Sequence, residues 1–160
     1  MKIRTMMAAD VDAVIALWQR CGLTRPWNDP RQDLAFAAAG PSSAVLVQTA
    51  KEAVVGAVMV GHDGHRGTVY YLGVDPAQRR VGGGASLMRA AEAWLRQRGV
   101  WKLNLLVRET NAEVIGFYEA LGYQDQACRV MGKRLDDRAD RTPVDGTDSH
   151  EPLPEASEER

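Results

Sequence analysis

Cysteine is scarce in this chain: Cys21 and Cys128 are the only two among 160 residues. They lack metal-ligand spacing and cannot supply a disulfide framework, so they read as core thiols in a cytoplasmic setting. A long apolar run is also missing, which excludes a transmembrane helix and leaves no membrane role. The opening Met1-Lys2-Ile3-Arg4 reads as a first strand and not as a signal peptide. No dense basic stripe or matching motif supports nucleic-acid binding. No G-K-[ST] occurs, which rules out a nucleotide-triphosphate loop. The glycine cluster lies mid-chain without G-x-G-x-x-G spacing, which rules out a dinucleotide fingerprint.

Net charge is −1, yet unevenly placed. From Asp136 to Arg160 there are nine Asp or Glu against three Arg, so the body carries about five positive charges. That balance suits an anionic ligand, although overall charge steers encounter more than it builds a site. Pro143, Pro152 and Pro154 and a near-absence of large apolar residues predict a disordered tail over 136–160. Residues 1–135 are long enough for one domain with a real core.

Hydrophobic periodicity divides that domain. Residues 2–6 predict a strand. Val11, Val14, Ile15 and Trp18 recur at helical spacing. Arg25 to Pro30 breaks into a loop. Arg31 to Ala39 predicts a short helix, and Ala44 to Thr49 with Val54 to Gly61 a hairpin. A fourth strand spans Thr68 to Val74. Leu87, Met88, Ala91, Trp94 and Leu95 mark a helix that Gly99 can cap. Leu103 to Val107 reads as a buried central strand. Asn111 to Leu121 is a further helix, and Tyr123 to Gln126 with Arg129 to Leu135 a last hairpin. The alternation predicts a mixed α/β (α+β) layer fold.

The most informative stretch runs from Leu72 to Ala85. It reads as strand, turn, then a glycine-rich turn entering a helix. The first amides of a helix have no internal partners, and its dipole adds positive charge there. Glycines let an anion approach the backbone closely. The inference is a phosphate-bearing ligand held by Arg79, Arg80, Val81, Gly82, Gly83, Gly84 and Ala85, mostly through main chain.

Arg79, Gly82 and Gly84 fit R-x-x-G-x-G. Downstream, Asn111 is followed by Phe117-Tyr118-Glu119-Ala120-Leu121-Gly122-Tyr123, with the tyrosine seven residues after the asparagine. Two such motifs in this order resemble the GNAT N-acetyltransferase superfamily. Arg25-Pro26-Trp27-Asn28-Asp29-Pro30 and Asp63-Gly64-His65-Arg66-Gly67 also resemble its small bacterial YpeA-type members. The resemblance implies a mostly antiparallel twisted sheet of six to seven strands flanked by four helices. It implies acetyl-CoA as co-substrate, no metal, and an amine acceptor attacking the thioester directly. The acceptor is a small-molecule amine or a protein amine, and the chain a monomer or homodimer.

Further roles follow from the same resemblance. Leu72 and Val74 lie on the strand whose amides, in the family, bond the pantetheine arm and polarise the thioester carbonyl. Tyr118 is the candidate general acid toward the departing sulfur, and its ring also fits a core face. Asn111 can bond the cofactor arm or cap its helix. Many members carry a glutamate where this chain has Tyr70, and this strand has no carboxylate. Asp63, His62 and His65 in the preceding loop are then the candidate bases, His65 foremost among the histidines, with plain turn residues or direct loss to water as the alternatives. His62, Asp63 and His65 could also be metal ligands by type, but the spacing is too common to assign a metal. Arg25, Trp27, Asn28, Asp29, Tyr70 and Tyr71 are the candidate acceptor-binding residues. The missing strand carboxylate keeps open a CoA-binding sensor or interaction module without catalysis. A ribosomal-protein-type N-terminal acetyltransferase is the other alternative.

Overall fold

The computed structural model describes residues 1–78, 81–133 and 135. Residues through Ala127 form one compact unit and those from Cys128 a second. The described part of the second unit has no helix or strand, and the expected acidic tail lies outside the described residues.

In chain order the first unit contains β1 (Lys2–Thr5), α1 (Val11–Arg20), α2 (Pro30–Ala38), β2 (Ser43–Ala50), β3 (Ala53–His62), β4 (Gly67–Val74), α3 (Gly83–Arg96), β5 (Leu103–Asn104) and α4 (Ala112–Ala120). Spatial order in the sheet follows chain order, β1-β2-β3-β4-β5. The first three pairings are antiparallel, and β4 pairs with β5 in parallel.

Alternation along the strands sorts two cores. Val45, Val47 and Ala57 face α1 and α2, where they meet Val14, Leu17, Trp18 and Leu34. Ala44, Leu46, Val58 and Val60 face α3, where they meet Leu87, Met88, Ala91 and Leu95. With helices on both faces, β2 is buried along nearly its whole length, as such a layered sheet requires.

Three expectations fail among the described residues. The sheet has five strands, not six to seven. β5 ends at Asn104 instead of running to Val107, and Leu106 is 57% exposed. Beyond Asn104 the strand has no ladder partner, so apolar content alone cannot hold it extended. Neither strand of the last hairpin forms among the described residues: Asp125 accepts from the Ala127 amide at 2.7 Å and Ala127 has φ +50°, a local turn.

Candidate active site

β4 has two unlike edges. On one side it pairs with β3 from His62↔Gly67 to Gly56↔Val74. On the other it meets β5 only at Gly67↔Leu103 and Thr68↔Asn104. From Val69 to Val74 that second edge has no strand partner among the described residues, although the Val74 carbonyl accepts from the Cys21 thiol at 3.3 Å.

The ladder to β3 is also interrupted. Ala57 faces Gly73 but Met59 faces Tyr70, so β4 carries one extra residue, a β-bulge. Tyr71 within it has φ +53°. A bulky side chain in the left-handed region stores backbone strain of roughly 1–3 kcal/mol, which surrounding contacts must hold. Those contacts are visible. The Tyr71 ring stacks on buried Trp18 at 4.4 Å between centroids, 17° from parallel. Its hydroxyl donates to Asp33 Oδ2 at 2.8 Å. Burial and the Asp33 carboxylate push the phenol up to about 12, while the Asn28 side chain and the Arg25 charge pull the other way. The structure thus gathers three of the expected acceptor residues, Arg25, Asn28 and Tyr71, and adds Asp33.

At the end of β4 the chain turns into α3. Gly82, at the N-cap, has φ +79° and offers no side-chain cap. The first main-chain bond back to it comes from the Ser86 amide at 3.0 Å. The amides of Gly83, Gly84 and Ala85 therefore precede the helix's internal bonding. Space here is tight. A Cβ at Gly83 would lie 2.9 Å from Gln48 Oε1, and one at Gly84 would lie 3.2 Å from Phe117 Cζ. Gly83 and Gly84 thus allow close packing, while Gly82 supplies a backbone angle that L side chains avoid. Val81 is 65% exposed. Arg79 and Arg80 lie outside the described residues.

The approach of Phe117 to Gly84 joins the two motifs, remote in sequence, at one place. Tyr118 sits beside Phe117 on α4, half-buried, with edge-to-face contacts to Phe117 and Tyr123 at 5.1 and 5.6 Å. Desolvation raises its hydroxyl above the ordinary phenol value, which keeps it protonated as a donor. Asn111 caps α4, accepting from the Val114 amide at 3.2 Å.

Other expected residues are placed elsewhere. Asp63 and His65 lie in the β3–β4 turn. Between that turn and Leu72 runs most of β4, at roughly 3.3 Å per residue, so neither is brought to the bulge. Asp63 accepts from the His65 and Arg66 amides at 2.8 and 2.6 Å, which holds its carboxyl below the usual range and closes the turn. Asp29 caps α2, accepting from the Arg31 and Gln32 amides. Tyr70 is 47% exposed. Among the described residues no group of three His, Cys, Asp or Glu could hold a metal ion, and no helix is long and apolar enough to cross a membrane. Two shallow depressions, near Arg96 with Trp101 and near His62 with Arg98, border the last turns of α3 and not its glycine start.

Sequence reasoning missed Asp33 because an acid in the first turn of a helix is ordinary dipole compensation. The doublet Tyr70-Tyr71, which breaks strand alternation, was the available signal for the bulge.

With this geometry in place, comparison with known proteins is decisive. The sequence model of the acetyltransferase (GNAT) family matches residues 10–123. The chain belongs to the GNAT acetyltransferase family. It is 46% identical over 135 residues to an acetyltransferase of Yersinia enterocolitica, covering 84% of this chain and 96% of that protein. An acetyltransferase of Pectobacterium atrosepticum matches to the same extent. Among solved structures, the ribosomal-protein-S18-alanine N-acetyltransferase from Escherichia coli superposes with a TM-score of 0.66 at 27% identity over 76% of each chain. The aminoglycoside 6′-N-acetyltransferase from Acinetobacter haemolyticus superposes with a TM-score of 0.70 at 19% identity. It covers 85% of this chain and all of that one, a likeness of fold. This GNAT chain is therefore an acetyltransferase built on a mixed sheet that parts between β4 and β5.

Proposed function

We propose that this GNAT protein transfers an acetyl group from acetyl-CoA to a primary amine by direct attack on the thioester. The observation that carries the reading is the meeting of three features. They are the partnerless edge of β4, the uncapped glycine start of α3, and Tyr118 on α4. Amides from Val81 to Ala85, which have no hydrogen-bond acceptor among the described residues, receive a pyrophosphate, with Arg79 and Arg80 adding charge. The main chain at Leu72 and Val74 holds the pantetheine arm, and the Leu72 amide faces the charge developing on the thioester oxygen. One well-placed amide contributes about 3 kcal/mol to such a transition state. The Tyr118 hydroxyl donates its proton to the departing sulfur. Cys128 lies outside these elements, and the Cys21 thiol donates to the Val74 carbonyl at 3.3 Å, which favours direct attack over an acyl-enzyme.

Calorimetry with acetyl-CoA tests the cradle, followed by thiol release with amine acceptors. Micromolar or tighter binding with turnover supports the reading, and absent binding removes it. Binding without turnover would support a CoA-binding module instead, the alternative suggested by a β4 that bears no carboxylate.

A further inference from the structure

The proposed reaction needs a group that handles the acceptor's positive charge. β4 supplies no acid, and the β3–β4 turn is remote. The structure brings a carboxylate to the bulge from another element. Asp33 on α2 accepts from the Tyr71 hydroxyl through Oδ2 at 2.8 Å. Its Oδ1 accepts from no described residue, and Asp33 forms no ion pair among them. Asp33 is only partly exposed. A partly buried carboxylate, one oxygen bonded to a neutral phenol, is an incompletely compensated charge that favours a cationic partner. The neighbouring cation, Arg25, donates to the Gly22 and Thr24 carbonyls at 2.8 and 3.0 Å.

Tyr71 is held firmly enough to aim this carboxylate. Its ring is stacked on Trp18 and its backbone set in the left-handed region. Tyr71 also precedes Leu72 directly, so the residue whose hydroxyl holds the Asp33 carboxylate shares the bulge with the amide assigned to the thioester. Strain kept in place by stacking and a hydrogen bond is a recurrent mark of functional sites.

We propose that Asp33, positioned by Tyr71, binds the acceptor's ammonium group and takes its proton, which makes aliphatic amines charged at neutral pH the substrate class. This rests on the acetyl-CoA reading above. One proton moves from nitrogen to Asp33 Oδ1, leaving a neutral amine. The nitrogen lone pair forms the C–N bond at the thioester carbonyl carbon, and the C–S bond breaks. The second proton lost by nitrogen is matched by the one that Tyr118 delivers to sulfur, and Asp33 releases its own to solvent. The products are the N-acetyl amine, free CoA thiol and one proton.

The test uses the full chain as wild type, Asp33→Asn, Asp33→Glu and Tyr71→Phe. Acetyl-CoA affinity is measured by calorimetry. Thiol release is followed with spermidine, tyramine, a peptide with a free N-terminal alanine, and aniline, which is neutral at pH 7. The wild type is expected to acetylate at least one of the three alkylammonium probes in clear preference to aniline. Asp33→Asn should lower kcat/KM for that probe by roughly 100-fold, the scale of a lost acid–base group, with Asp33→Glu recovering part of it. Tyr71→Phe should raise the amine KM by about tenfold, the scale of one charged hydrogen bond, with kcat less affected. Acetyl-CoA affinity should be unchanged in all variants. Unchanged kcat/KM in Asp33→Asn overturns the proposal. So does equal use of aniline, or no acetylation of any alkylammonium probe by a wild type that binds acetyl-CoA. Absent acetyl-CoA binding by the wild type removes the underlying reading as well. If thermal melts show Asp33→Asn unfolded, the KM-against-kcat split in Tyr71→Phe decides, and no change in amine KM overturns the proposal.

Discussion

The starts of α2 and α3 differ in what satisfies their unpaired amides. At α2, Asp29 accepts from the Arg31 and Gln32 amides, and Pro30 occupies the first position, where no donor is needed. At α3, Gly82 in the left-handed region supplies no side-chain acceptor, and its carbonyl takes only the later Ser86 amide. The first helix start is internally satisfied and stabilises the fold. The second has no side-chain cap for its first amides and lies next to an edge of β4 that lacks a strand partner among the described residues. The same local physics serves stability in one place and, in the function proposed, ligand capture in the other, and the residue at the N-cap sets the difference.

The sharpest way to break this contrast is to make α3 start like α2. Gly82→Asp places a carboxylate where the anion would sit. Acetyl-CoA affinity is expected to fall roughly 100-fold or more, about 2.7 kcal/mol, and unchanged binding by calorimetry would remove the phosphate cradle. Next in size is the element that α3 meets. Tyr118→Phe keeps the packing against Phe117 and Tyr123 but loses the donor. Its kcat should fall by roughly 100-fold with little change in acetyl-CoA affinity, and equal turnover in stopped assays would clear Tyr118 of the acid role.

The converse change sharpens the comparison from the other side. Asp29→Ala removes the cap of α2, and stability should drop by about 1 kcal/mol in urea unfolding while acetyl-CoA affinity holds. Loss of affinity there would show that the two helix starts are coupled. The smallest effect is expected on the acid side. Asp10 bonds both guanidinium nitrogens of Arg4, at 2.6 and 2.9 Å, and accepts from the Met7 amide at 2.7 Å. Arg4 chiefly, and Met7, hold its carboxyl below the usual range. A depressed carboxyl contributes its full stability above about pH 4, the ordinary aspartate value. That contribution is lost as pH falls through the lower folded value. Thermal melts between neutral and strongly acidic pH should show this loss, and Asp10→Asn should flatten it.

Much of the fold was legible before any coordinates. Val11, Val14, Ile15 and Trp18, or Leu87, Met88, Ala91 and Leu95, announce their helices because a single face must be buried. Gly99 and Gly122, at φ +78° and +89°, mark chain reversals after α3 and α4. The glycine turn was legible for the same reason: three glycines at a helix start are unfavourable unless close approach is needed. Leu103 to Val107 misled because apolar content does not reveal whether a ladder partner persists. His65 and Asp63 drew attention by residue type, although their position in a turn at the far end of β4 gives them structural work.

Sequence alone determined most of the helices and the first four strands, the glycine turn at Gly82 to Ala85, and the membership that Asn111 and Tyr118 signal. These depend on local spacing, helix-end chemistry and the needs of glycine, all readable within a few residues. Only the tertiary structure decided that β4 and β5 part after Asn104, that Phe117 closes on Gly84, and that Asp33 reaches Tyr71 across 38 positions of chain. Those depend on which strands pair and which helices cover each face, and no local pattern encodes a carboxylate from α2 meeting a bulge on β4.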